Sequence, residues 1–246
     1  MKLESIQQIV ESGRLFKIVY YGSSTTSFEH IFPNWGEIIR YVLRATLEDR
    51  MNDYRPAYWN LHTINLGLDG ATSRDLLERF ERLVLPENPS LVFLSMGKND
   101  PYVDIPVAET TNNNRAVVKR LLERGVAVAF MTAVPSTDKE KNKKVVDHLN
   151  AERKLASDFS ENMNFCFVDL YKKFEGVDLS LIYNKIQEDT NEYLGLKPGD
   201  TDTIHFNQYG NILVAKFLLK EAFGVDFKSN LFLEDLNNPQ KLFPRY

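Results

Sequence analysis

The fold class predicted by this sequence is α/β, a three-layer α/β/α sandwich around a five-stranded, mostly parallel sheet. Three observations lead there: five short apolar runs rich in β-branched and aromatic residues, helical patterns between them, and polar loops following four of the runs. Runs that are nearly continuously apolar suit strands buried on both faces, since a half-exposed strand would alternate. Strands that alternate with helices pair in parallel and carry helices on both sides.

The runs are "FKIVYYG" (16–22), "HTINLGL" (62–68), "SLVFLSMG" (90–97), "VAVAFMTAV" (126–134) and "NFCFVDLY" (164–171). Between the first two, "NWGEIIRYVLRATLEDRM" places Trp35, Ile38, Ile39, Val42 and Leu43 at helical spacing. "TSRDLLERFERLVL" does the same with Leu76, Leu77, Phe80, Leu83 and Val84, after a Thr72 or Ser73 cap. "NNNRAVVKRLLERG" ends on Gly125, a helix stop directly before the fourth strand. A charged helix is expected over 136–159, and "NQYGNILVAKFLLKEAF" closes the fold as the last amphipathic helix. The stretch 176–202 has weak periodicity and is expected as a long loop, with a short helix at "LSLIYNKI". The tail "NNPQKLFPRY" has no capped pattern and is expected to pack loosely or be disordered.

With 246 residues and 43% hydrophobic content, the chain can bury one large core, and a single domain over 1–246 is expected, with its core at about 16–222 and an extension at about 226–246. Thirty Lys and Arg against 34 Asp and Glu give a net charge of −4, with both signs spread along the chain, which points away from nucleic acid and anionic membranes. The one cysteine, Cys166, lies in an apolar stretch and reads as a buried, inert thiol. The N-terminal residues break their apolar positions with Glu4, Gln7, Gln8, Glu11 and Arg14, unlike a secretory signal, and a cytoplasmic location is expected.

In such a sheet ligands sit beyond the carboxyl ends of the strands, where "GSSTT", "GLDGATS", "GKND" and "VPSTD" gather. Ser24, two residues past Gly22, can point its hydroxyl over the sheet edge while the turn exposes backbone N–H groups. The same loop also suits a phosphate or a simple helix cap. A serine becomes nucleophilic when a base takes its proton, and histidine is the usual base. Of the four histidines, His30 and His62 show no obvious acidic partner, and His148 falls in the charged helix as a solvated residue. His205 stands three residues after Asp202 in "DTDTIHFNQYGN", so a turn would bring the carboxylate to Nδ1 and direct Nε2 outward. A helix-start histidine bonded to a capping acid has the same spacing. For oxyanion donors, Gly70 offers a backbone N–H that a substrate can approach closely, and Asn99 a side-chain amide. Turn and Asx roles fit those two residues as well.

Taken in order, these loops resemble the four sequence blocks of the SGNH hydrolases, the GDSL esterase/lipase family. "GSS" (22–24) is similar to the first block, "NLGLDGATSRDLL" to the second, "GKND" (97–100) to the third and "DTIH" (202–205) to the last, over roughly residues 16–222. The resemblance implies a flavodoxin-like SGNH fold and an acyl-ester hydrolase working through an acyl-enzyme. It implies Ser24 as nucleophile, His205 as base and Asp202 as orienting acid, with Ser24, Gly70 and Asn99 forming the oxyanion hole and no metal or other cofactor. Short-chain or carbohydrate esters are the expected substrates, with Tyr102, Tyr193, Leu194 and the loop "DPYVDIPVAETTNNN" at the pocket. An O-acyltransferase and a catalytically silent carbohydrate-binding member share the same pattern. Two positions depart from the family: Ser23 replaces the aspartate of the namesake motif, and Phe206 stands where proline commonly follows the histidine. The first is expected to leave activity in place, the second to loosen the histidine loop or to add an apolar wall. No G-x-S-x-G elbow, GxxxxGK[ST] loop, GxGxxG turn or HExxH pair occurs.

Overall fold

The inward-facing residues of the central strands alternate between two cores, and this places helices on both faces of the sheet. In the computed structural model, which describes residues 2–186 and 195–246, five strands run parallel: β1 (Phe16–Gly22), β2 (Leu61–Gly67), β3 (Leu91–Ser95), β4 (Ala127–Met131) and β5 (Phe165–Val168). Their order is β2-β1-β3-β4-β5, the doubly wound order whose switch point lies between β1 and β3. Ile18, Tyr20, Phe93 and Ala129 enter one core, with helices α1 (Leu3–Glu11), α2 (Trp35–Met51) and α8 (Gln208–Phe223). Val19, Tyr21, Val92 and Phe130 enter the other, with α4 (Ser73–Leu83), α5 (Val107–Glu123) and α6 (Lys139–Ser157).

Each face also carries a buried polar tie. Tyr20 donates its hydroxyl to the Gly36 carbonyl at 2.9 Å, and Tyr21 donates to the Leu76 carbonyl at 2.6 Å. A phenol buried without such a partner would lose stability, so these bonds fix the approach of α2 and α4 to the sheet. The two edge strands, β2 and β5, are half-buried rather than covered on both sides. Their apolar runs look like those of the inner strands because edge position is a property of strand order, not of local composition.

Local signals set the helix starts. Asn34 and Glu37 form a capping box on α2, Thr72 and Asp75 form one on α4, and Asn207 accepts from the Gly210 N–H at the start of α8. Other elements were not expected from the sequence: α1, and α3 (Tyr54–Asn60), which Asp53 caps. The segment "LSLIYNKI" forms only a 3₁₀ turn over Leu179–Leu181, followed by strand β6 (Tyr183–Lys185). That strand pairs antiparallel with β7 (Thr201–Phe206), so Asp202 and His205 lie on a strand rather than in a free turn. A short α7 (Leu170–Lys173) takes the end of the fifth apolar run.

The tail is docked, against expectation. After α9 (Ser229–Leu236), Arg245 grips the buried Asp235 carboxylate at 2.6 and 2.8 Å and holds its pKa at about 2. The Pro244 carbonyl accepts from the Tyr41 hydroxyl, and the Tyr246 hydroxyl donates to Asp49. These partners are remote in sequence, so no local pattern announces them. Among the described residues no helix is long and apolar enough to cross a membrane.

Gly210 shows how tightly α8 seats beneath β7. A Cβ there would lie 2.6 Å from the Ile182 carbonyl oxygen and 2.8 Å from the Phe206 Cβ. Replacing a helical glycine by alanine gains up to about 1 kcal/mol in propensity. Overpacking against a backbone atom costs roughly 1–3 kcal/mol, so the clash outweighs the gain. Gly210→Ala should therefore lower stability in chemical denaturation; a variant as stable as the parent would contradict the close approach.

Candidate active site

Ser24 leaves the carboxyl end of β1 at the switch point of the sheet. Its loop turns at once, because the Ser23 carbonyl accepts from the N–H groups of Thr26 (2.9 Å) and Ser27 (3.2 Å). Asn99 follows β3 and starts a 3₁₀ turn over Asp100–Tyr102. Gly70 lies in the β2–α4 turn with φ +69°, and a Cβ there would meet nothing within 4 Å. The backbone conformation, not crowding, is what favours glycine at this position.

Strand β7 carries Asp202 and His205 to this edge. The Asp202 Oδ2 is 2.5 Å from His205 Nδ1, and His205 Nε2 is 3.0 Å from Ser24 Oγ. The other carboxylate oxygen of Asp202 accepts from the backbone N–H groups of Ile204 (2.8 Å) and His205 (3.2 Å). All three side chains are buried. Burial works to raise the pKa of Asp202, but the His205 hydrogen bond and charge and the two backbone N–H groups outweigh it, and the pKa is lowered. Asp202 therefore holds its negative charge beside Nδ1, the arrangement that directs Nε2 at the serine.

The oxyanion candidates are only partly brought together. Asn99 spends one amide hydrogen on the Ala71 carbonyl at 3.0 Å, which leaves the second available. Among the described residues neither the Ser24 nor the Gly70 N–H donates to a protein acceptor. Ser24 and Asn99 line the cavity at this edge, whereas Gly70 is outside its lining. What joins the Gly70 loop to the others is a set of ties. Asp100, fully buried, accepts from the Ser73 N–H at 2.8 Å and from the Thr110 hydroxyl at 2.6 Å. Ser27 donates to Asp69 at 2.6 Å.

The cavity has a volume of about 70 Å³ and mixes hydroxyls with apolar walls from Trp35, Met131, Tyr183 and Phe206. Tyr102 lines it as expected, while Tyr193 and Leu194 lie outside the described residues. The stretch "DPYVDIPVAETTNNN" is not one loop, because α5 begins at Val107. Ser23 is buried and lines the cavity. Phe206 supplies an apolar wall, packed on the Tyr183 ring at 5.7 Å, and its strand pairing holds rather than loosens the His205 segment.

Several neighbours escaped the sequence. Lys98 lines the cavity, donates to the Met131 carbonyl at 2.8 Å and lies 3.5 Å from Glu152, with Glu152 buried and Lys98 nearly so. Burial lowers the pKa of Lys98 and pushes Glu152 up to about 7. His30 does have an acidic partner: its Nε2 is 3.2 Å from Asp69, and its ring stacks on His205. His148 is half-buried with Nε2 3.1 Å from the Ile105 carbonyl, not solvated. Cys166 is half-buried beside the Glu221 carbonyl, and burial raises its pKa. Each of these pairings joins separate elements, so none leaves a trace in local spacing.

A family model described as GDSL-like lipase/acylhydrolase matches residues 21–212, most of the chain. The chain belongs to that family. A GDSL esterase/lipase of Arabidopsis thaliana is 25% identical to this GDSL-like acylhydrolase over 232 residues, covering 89% of this chain and 68% of the plant protein. Among solved structures, the acetyl xylan esterase AlAXEase is 21% identical with a TM-score of 0.62, covering 83% of this chain and 98% of its own. A lipase/acylhydrolase from Enterococcus faecalis is 20% identical with the same TM-score, covering 85% and 96%. A catalytic mutant of an acetylxylan esterase from Geobacillus stearothermophilus reaches 0.63 at 16% identity, covering 85% and 94%. These structures share the SGNH fold with this GDSL-like acylhydrolase, whose enzyme class is that of a carboxylic ester hydrolase.

Proposed function

We propose that this protein hydrolyses short-chain or carbohydrate esters through a serine acyl-enzyme. The observation that carries the reading is the continuous hydrogen-bonded chain from Asp202 through His205 to Ser24. Ser24 Oγ attacks the ester carbonyl as His205 Nε2 takes its proton, and the tetrahedral oxyanion forms. His205 then returns that proton to the departing alcohol. Water, deprotonated in turn by His205, attacks the acyl-enzyme and releases the acid with Ser24 restored. Asp202 orients the imidazole and balances the imidazolium. The Ser24 N–H, the Gly70 N–H and the remaining Asn99 amide hydrogen are the donors assigned to the oxyanion.

The small cavity favours a short acyl group, since about 70 Å³ is far below the roughly 300–1,000 Å³ of sites for drug-sized ligands. Thr26, whose buried hydroxyl has no protein partner, adds a polar group to its wall. Acetylated sugars fit this combination, and acetyl xylan esterases stand among the proteins of similar fold. A fluorophosphonate probe should label Ser24, and acetyl esters should turn over faster than butyryl esters and much faster than octanoyl esters. Absence of labelling at Ser24 would remove the nucleophile assignment, and a preference for octanoyl would remove the substrate assignment alone.

A further inference from the structure

We infer that His30 is a positioning residue for the base, holding the plane of the His205 ring and coupling it to the Gly70 loop. The inference rests on the reading of Ser24, His205 and Asp202 given above. The two imidazole rings stack with centroids 3.7 Å apart and planes 11° from parallel. Both nitrogens of His205 are already engaged, Nδ1 by Asp202 and Nε2 by Ser24. Those contacts fix the ring's edges but resist only weakly a tilt about the line joining them. A flat ring packed on one face opposes that tilt directly.

His30 is itself anchored from two sides. Its Nε2 is 3.2 Å from Asp69 Oδ2, and the other oxygen of Asp69 accepts from the Ser27 hydroxyl at 2.6 Å. Asp69 immediately precedes Gly70, so a chain of contacts runs from the assigned oxyanion loop through His30 to the base, and back to the Ser24 loop through Ser27. Further along the same loop, the Phe32 carbonyl accepts from Gln208 at 2.9 Å, at the start of the helix that follows His205.

Four groups bear on the charge of this cluster. Asp202 faces His205 from its own strand, His30 and Asp69 approach from two loops, and Lys141 of α6 donates to Thr203 at 2.7 Å. Burial, and after it the charge of His205, lowers the pKa of His30, while Asp69 pulls the other way. A neutral His30 can stack on the base without repelling the imidazolium that forms during acyl transfer.

Steady-state kinetics on an acetyl ester test this with His30→Ala, His30→Phe, Asp69→Asn and Ser24→Ala. His30→Ala should lower kcat roughly 10–100-fold, the scale of a misplaced catalytic group. KM should stay within about twofold, since no substrate contact is lost. His30→Phe should regain most of kcat by covering the ring again. Asp69→Asn, which preserves shape and weakens the anchor, should lower kcat several-fold. An unchanged kcat in both His30→Ala and Asp69→Asn would overturn the inference, as would a rise in KM alone, the signature of a substrate contact. An active Ser24→Ala would instead overturn the reading beneath it.

Discussion

Ser24→Ala should lower kcat on a short-chain ester by roughly five to six orders of magnitude while leaving the protein folded. At 1.36 kcal/mol per tenfold, that is about 7–8 kcal/mol of transition-state stabilisation. The loss is large because the hydroxyl is the attacking atom, and without it His205 and Asp202 have no proton to move. Alanine fits the site without strain, and the His205 Nε2 loses one hydrogen bond worth about 1 kcal/mol in stability. The check is paired: hydrolysis measured against a buffer blank, and thermal unfolding measured beside the parent. Retained activity with a normal melting curve would assign the chemistry to another residue.

The second large effect is expected from Asp202→Asn, a drop in kcat of about 10⁴-fold. Asparagine can present its amide N–H to Nδ1, and the imidazole would then carry its proton on Nε2, where it cannot accept the serine proton. The variant keeps the shape of the site, so KM should change far less than kcat. It also carries a stability signature. Because the pKa of Asp202 is lowered in the folded protein, its carboxylate contributes stability above the unfolded carboxylate pKa, and that contribution is lost as pH falls through the lower folded value. Melting temperatures followed from pH 5 down to pH 3 should fall less steeply in Asp202→Asn than in the parent. An equal slope would mean that the His205 bond does not favour the charged carboxylate.

Asp235 belongs to the same acid range and complicates a whole-protein titration. Arg245 holds it at about 2, so its contribution persists to still lower pH. The comparison between variant and parent removes that shared background, which is why the difference in slope, rather than the slope itself, is the informative quantity.

The amino-acid order alone determined the alternation of strands and helices, the capping of α2, α4 and α8, the loops holding Ser24, Gly70 and Asn99, and the three-residue spacing of Asp202 and His205. These features are local: a buried strand needs an apolar run, a cap needs a polar residue at one position, and Gly70 needs a backbone with positive φ. Tertiary structure decided everything that depends on which loop meets which. It made β2 and β5 the edges, paired β6 with β7 against the start of α8, and docked the tail on α2. It also stacked His30 on His205 and gave it Asp69 as a partner, although the sequence offered His30 no visible acid. Residues so far apart along the chain meet because the sheet twists and its crossovers return each loop to one edge. The approach of two side chains across that edge has no periodicity to betray it.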